Sequence, residues 1–130
     1  MLRIKTNKII LGGAISAEAY EGIFGQELIG TIQIRYHQDK VYRIQQFMVK
    51  EEQRNKGIGR RLFEAGAKKI KKAGGTTIIV YPCPESYPNE DGVAIEVEEL
   101  YAIYKKLGFD FVDENADISK CNQKMYMTIL

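Results

Sequence analysis

The sequence predicts a mixed α/β fold built around a mostly antiparallel sheet of about six or seven strands. Three observations carry that expectation: strand-like segments up to residue 50, two amphipathic helical segments, and a short β-branched stretch between those helices. With 130 residues, 45% of them apolar, and no linker rich in Gly or Pro, one ordinary core and one domain over residues 1–130 are expected.

Residues 17–24 and 28–36 read as a hairpin around Gly25-Gln26. In the second strand Ile29, Thr31, Gln33 and Arg35 alternate with Gly30, Ile32, Ile34 and Tyr36, the period of a pleated strand. His37-Gln38-Asp39-Lys40 is a polar turn, and residues 41–50 resume a strand rich in Val, Tyr, Ile, Phe and Met. Ile58, Leu62, Gly66, Ile70 and Ala73 then fall at helical spacing, with Arg60, Arg61, Lys68, Lys71 and Lys72 on the remaining surface. Gly74-Gly75 ends that helix. Residues 76–81 are almost continuously apolar, which suits a central strand covered on both faces. An irregular, Pro-containing loop follows to about residue 91, and a second helix runs over residues 94–107 with Val97, Leu100, Ile103, Tyr104 and Leu107 on one side and Gly108 as its terminator. Residues 109–112 and 124–129 close the sheet as strands.

Several function classes are set aside by composition. The 19 basic side chains are nearly balanced by 17 acidic ones, giving a net charge of +2, so the chain as a whole does not point to nucleic acid. Lys68, Lys69, Lys71 and Lys72 are read as a solvated helix face. No apolar run is long enough to cross a bilayer, and no apolar core follows the first basic residues, so a cytoplasmic protein without a membrane or signal segment is expected. Cys83 and Cys121 are far apart and His37 is near neither; no metal site is expected, and both cysteines are read as reduced thiols.

The chemistry concentrates in Phe47-Met48-Val49 and the turn that follows, Arg54-Asn55-Lys56-Gly57-Ile58-Gly59-Arg60. A strand passes there into a helix start, where unpaired N–H groups and the positive dipole end hold phosphate oxygens. Gly57 and Gly59 remove Cβ atoms, while Arg54, Lys56, Arg60 and Arg61 add cations, so the ligand expected carries several phosphates. The GxxxxGK[ST] loop is missing, and Leu62 stands where the third glycine of a dinucleotide fingerprint would be.

What remains, R-x-x-G-x-G after a strand, resembles the acyl-CoA pyrophosphate loop of the GNAT superfamily of N-acyltransferases. Downstream, Tyr104-Lys105-Lys106-Leu107-Gly108-Phe109 is similar to the family's Y-x-x-x-G-F element. The resemblance covers residues 17–130 and implies a GNAT-like sheet with helices on both faces. It implies that Phe47, Met48 and Val49 offer backbone groups to the pantetheine arm and that Arg54, Asn55, Lys56, Gly57, Ile58, Gly59 and Arg60 hold the pyrophosphate of acetyl-CoA. It also implies that Tyr104 protonates the leaving thiolate, with Tyr101 as a competing hydroxyl. The expected activity is acetyl transfer to an amine of a small molecule or a protein, without metal or covalent intermediate. A catalytically silent acyl-CoA sensor is the alternative, and association into a homodimer is left open.

Two departures from the family pattern follow from the residues. The strand entering the loop offers Arg43, Gln45 and Phe47 on one face and Ile44, Gln46 and Met48 on the other, so it lacks the glutamate many relatives use as base. Only residues 7–16 stand where relatives carry one or two helices, so an abbreviated acceptor site is expected. The acidic run Glu85, Glu90, Asp91, Glu96, Glu98 and Glu99 suggests a cationic acceptor.

Overall fold

Side-chain alternation governs the first half of the molecule: in β2 (Ala14–Glu21), Ile15, Ala17 and Ala19 are buried while Ser16 and Glu18 are half-exposed. A computed structural model describes residues 2–9, 13–22, 27–84 and 95–129. The hairpin turn expected at Gly25-Gln26, the acidic residues Glu85, Glu90 and Asp91, and the expected helix start at Ala94 lie outside the described residues. The remaining strands are β1 (Arg3–Ile9), β3 (Glu27–Gln38), β4 (Val41–Val49), β5 (Thr77–Val80), β6 (Asp110–Phe111) and β7 (Met125–Thr128). Two helices, α1 (Ile58–Lys72) and α2 (Val97–Leu107), join them.

The strands form one seven-stranded sheet in the order β1-β2-β3-β4-β5-β7-β6. Every pairing is antiparallel except β4 with β5. Strand β3 runs on to Gln38, so His37 is an exposed strand residue instead of part of the expected turn. Only Asp39 and Lys40 turn the chain, both with positive φ of 48° and 66°, the geometry that matches the twist of a two-residue hairpin.

Both helices pack on the same face of the sheet. The crossovers β4-α1-β5 and β5-α2-β6 advance in the same direction across it, and right-handed connections then put both helices on one side. Side chains agree. A Cβ at Gly66 of α1 would meet Ile34 and Ile32, while the Tyr104 ring of α2 sits 6.2 Å from Phe47, the residue opposite Ile32 in the ladder. Helices on both faces were expected; the N-terminal segment instead adds β1 to the sheet edge, and the second face carries Thr31, Gln33, Arg35, Arg43 and Gln46 beside the buried Met48 and Ile79. The covered face holds the core, in which Ile32, Leu62, Ile70, Ile78 and Met125 are fully buried. Each such side chain contributes about 1.5–3 kcal/mol by leaving water.

The reading of the cysteines as free thiols is overturned, because Cys83 and Cys121 form a disulfide with Cα atoms 4.8 Å apart. The segment before β7 folds back along the end of β5, where Asn122 N–H donates to the Pro82 carbonyl at 2.8 Å, and this return brings together cysteines 38 positions apart. No helix among the described residues is long and apolar enough to cross a membrane.

Candidate functional site

The site begins where the parallel strands part. β4 and β5 pair only at Val41 with Thr77, Tyr42 with Ile78 and Arg43 with Ile79. Beyond Arg43 the edge of β4 facing β5 carries backbone groups outside any ladder. A bulge between Gln33 and Ile34 of β3, with Gln45 as the extra residue opposite, adds local twist at that point. Phe47, Met48 and Val49 therefore stand at one lip of a cleft, and Val80, Pro82 and Cys83 at the other.

The chain leaves β4 through a 3-10 turn at Glu51–Gln53 and enters α1 through two residues of positive φ, Asn55 at 63° and Gly57 at 78°. Gly57 is the N-cap, and a Cβ there would impose left-handed strain on an L-residue. No side chain caps α1 and no acidic residue occupies its first turn; its first helical bond runs from Arg61 N–H to the Gly57 carbonyl. The amides of Ile58, Gly59 and Arg60 consequently form an open, positive helix end. By contrast, α2 carries Glu98 and Glu99 in its first turn. A Cβ on Gly59 would lie 3.5 Å from the Phe47 ring, an ordinary contact, so packing of helix on sheet does not itself require a glycine at this position.

Three arginine contacts shape the surroundings. Arg54 Nε donates to the Val49 carbonyl at 2.9 Å, which fixes its guanidinium beside the strand end. Arg60 donates to the Lys106 carbonyl at 2.8 Å and lies 3.9 Å from Glu64, so it ties the start of α1 to the end of α2. Cations at a helix C-terminus are favourably placed against its dipole.

A cavity of about 260 Å³ collects Phe47, Val49, Arg54, Asn55, Gly57 and Ile58, together with Gly59, Arg60 and Tyr104. A narrower cleft of about 90 Å³ adjoins it and includes Met48, Arg54, Cys83 and Tyr104. Lys56 lines neither; its ammonium is 3.2 Å from Gln53 Oε1 on the exposed side of the loop. Ile95, Leu100 and Ile103 form a further wall that sequence reasoning did not assign to the site. Their signal was present, since Leu100 and Ile103 share the apolar side of α2 with Tyr104 and remain only half-buried.

The two tyrosines of α2 separate cleanly. Tyr101 donates its hydroxyl hydrogen to the Lys120 carbonyl and accepts from Gln123 N–H at 3.1 Å, which commits it to the returning segment. Tyr104 lines both cavities, with its ring held edge-on between Phe47 and Phe109 at 6.2 and 5.4 Å. Near the end of α2, Lys105 donates to Asp110 at 2.9 Å, and this bond, followed by the Phe111 amide, holds the Asp110 carboxyl below its usual range. The Ser119 hydroxyl and amide similarly lower Asp117 in the segment that carries Cys121. On β2, next to the far edge strand, desolvation pushes the Tyr20 phenol upward. Among the described residues no three His, Cys, Asp or Glu side chains converge as a metal site.

The model of the acetyltransferase (GNAT) domain matches residues 15–110. The chain belongs to the GNAT acetyltransferase family. These are acyltransferases, and the matched region contains the opened strand pair, the uncapped helix start and Tyr104. Among curated proteins none matches. Solved structures with this fold include an acetyltransferase of the GNAT family from Staphylococcus aureus, 17% identical, with TM-score 0.70 over 93% of this chain and 71% of that one. An IAA acetyltransferase from Bacillus cereus is 16% identical, with TM-score 0.68 over 99% of this chain and 100% of the other. A Bacillus subtilis acetyltransferase in complex with CoA is 19% identical, with TM-score 0.67 over 100% of both chains. This GNAT chain lacks a carboxylate on the described lining of the narrower cleft.

Proposed function

We propose that this chain is a single-domain N-acetyltransferase moving acetyl from acetyl-CoA to a primary amine of a small molecule or a protein. The observation that carries the proposal is the shared cavity, in which an uncapped helix start and the ring of Tyr104 face the same space beside a parted strand pair. In this reading the amides of residues 57–60, with Arg54 and Asn55, hold the pyrophosphate, Arg60 contributes while bridging the helices, and Lys56, which lines neither cavity, adds only a nearby positive charge. The edge of β4 at Phe47, Met48 and Val49 receives the pantetheine amides as a strand would be received. A structure similar to this one was solved with CoA bound, which supports the choice of coenzyme. Acetyl-CoA belongs to the cell interior, so the cytoplasm is the compartment proposed, where disulfides of this kind are usually transient or redox-sensing.

The chemistry is direct transfer. The ammonium first loses a proton to solvent, and the free nitrogen then bonds to the thioester carbonyl carbon. As the carbon–sulfur bond breaks, the sulfur takes the Tyr104 phenol proton, and the proton left on nitrogen restores the phenol. Holding both reactants in one cleft supplies much of the acceleration.

The narrower cleft has no carboxylate among its described lining, and Glu99 lines only the wider cavity, which favours a second reading, an acyl-CoA sensor without turnover. Calorimetric titration with acetyl-CoA and thiol release over a broad amine panel separate the two. Binding with amine-dependent thiol release is expected; binding with no release from any amine would leave the sensor, and no binding would remove both.

A further inference from the structure

The sheet face away from the helices is cationic where it meets the cleft. Arg35 and Arg43 are directly opposite one another on β3 and β4, and both are exposed. Like charges in that arrangement repel. The ion pairs among the described residues, Glu27 with Lys50, Arg60 with Glu64, Lys105 with Asp110 and Lys120 with Asp117, leave both guanidinium groups out. Arg43 lies over the Tyr81 ring at 4.5 Å and Lys124 approaches the same ring at 6.0 Å, so a third positive charge borders the patch.

An open groove of about 520 Å³ crosses this surface, lined by Gln33, Arg43, Gln45, Gln46, Tyr81 and Asn122. It has Gln45, Gln46, Tyr81 and Cys83 in common with the cleft that reaches Tyr104. The groove therefore leads into the gap between β4 and β5 from the side opposite the helices. Its described lining offers amide donors and a cation and contains no carboxylate, a surface that attracts anions and repels polycations.

Resting on the acetyl-transfer reading, we propose that the acceptor is a small amine bearing an anionic group, carboxylate or phosphate, which Arg43 and Arg35 hold on the open face while its nitrogen enters the gap. This differs from the cationic acceptor suggested by the acidic run, of which Glu96, Glu98 and Glu99 are exposed at the start of α2, Glu99 on the lining of the wider cavity, while Glu85, Glu90 and Asp91 lie outside the described residues.

Matched amines test the proposal under saturating acetyl-CoA: β-alanine against β-alaninamide for carboxylate, phosphoethanolamine against ethanolamine for phosphate, and ethylenediamine as the dication. The anionic member of at least one pair is expected to show kcat/KM about tenfold or more above its neutral partner, which corresponds to about 1.4 kcal/mol. Whichever pair discriminates identifies the anion. Arg43→Gln is expected to bring that ratio close to unity, chiefly through KM, with Arg43→Lys retaining part of it; melting temperatures confirm that each variant folds. Preference for the neutral or dicationic amines, a ratio that survives Arg43→Gln combined with Arg35→Gln, or silence from both members of each pair would overturn the proposal while acetyl-CoA still binds. Loss of acetyl-CoA binding to the parent protein would instead overturn the acetyl-transfer reading beneath it.

Discussion

Removing the hydroxyl from each α2 tyrosine in turn should separate stability from chemistry within one helical turn. In Tyr101→Phe, the Lys120 carbonyl and the Gln123 amide both lose their partner in a site where the ring is only 2% exposed. Leaving such groups unsatisfied costs about 1–3 kcal/mol. For a chain of this size a loss of 2 kcal/mol lowers the melting temperature by roughly 8 °C. Tyr104→Phe keeps the ring between Phe47 and Phe109 but removes the proposed proton donor, which should lower kcat by about 10²–10⁴-fold. The assays are thermal unfolding by circular dichroism and steady-state thiol release, at a temperature where both variants are folded. The assignment is refuted if Tyr104→Phe stays within about threefold of the parent kcat, or if Tyr101→Phe loses turnover with its melting temperature unchanged.

Three further outcomes are expected. Arg54→Ala removes a guanidinium positioned by the Val49 carbonyl, and the KM for acetyl-CoA should rise about tenfold or more, with kcat changed less. Reducing the Cys83–Cys121 bond releases a loop with a sequence separation of 38, and chain-entropy arithmetic gives a destabilisation of about 4 kcal/mol, measurable by denaturant unfolding with and without reductant. Asp110 and Asp117 titrate below their ordinary range when folded, so each contributes stability that is present above the unfolded carboxylate pKa and is lost as pH falls through the folded one. Asp117→Asn should therefore flatten the acid limb of a melting-temperature profile, and an unaltered limb would remove Asp117 from that account.

The parts of the fold legible in sequence were those fixed by strong periodicity. Residues 30–35 alternate between buried and more exposed side chains in the middle of β3, and the apolar stripe Ile58, Leu62, Gly66 and Ile70 became the buried side of α1. The edge strand β1 was not read because Arg3, Lys5 and Lys8 interrupt its apolar residues, the charge pattern that protects an exposed sheet edge and weakens a strand signal. Helix placement escaped because no local pattern says which face a crossover covers; the direction of strand order decides it. The loop from Arg54 to Gly59 was conspicuous through its glycines, whereas the disulfide depends on a chain return that spacing does not reveal. The cationic groove was hidden for a similar reason: Arg35 and Arg43 become neighbours only after the Asp39–Lys40 turn sets their register.

The early end of the β4–β5 ladder at Arg43 and Ile79 also has a dynamic consequence. Amides on the free edge of β4 exchange with solvent more readily than those within a complete ladder. A ligand whose own amide groups lie along that edge would act as a temporary eighth strand, slowing deuterium uptake over residues 44–49 and raising the unfolding temperature with the logarithm of its concentration once that exceeds Kd.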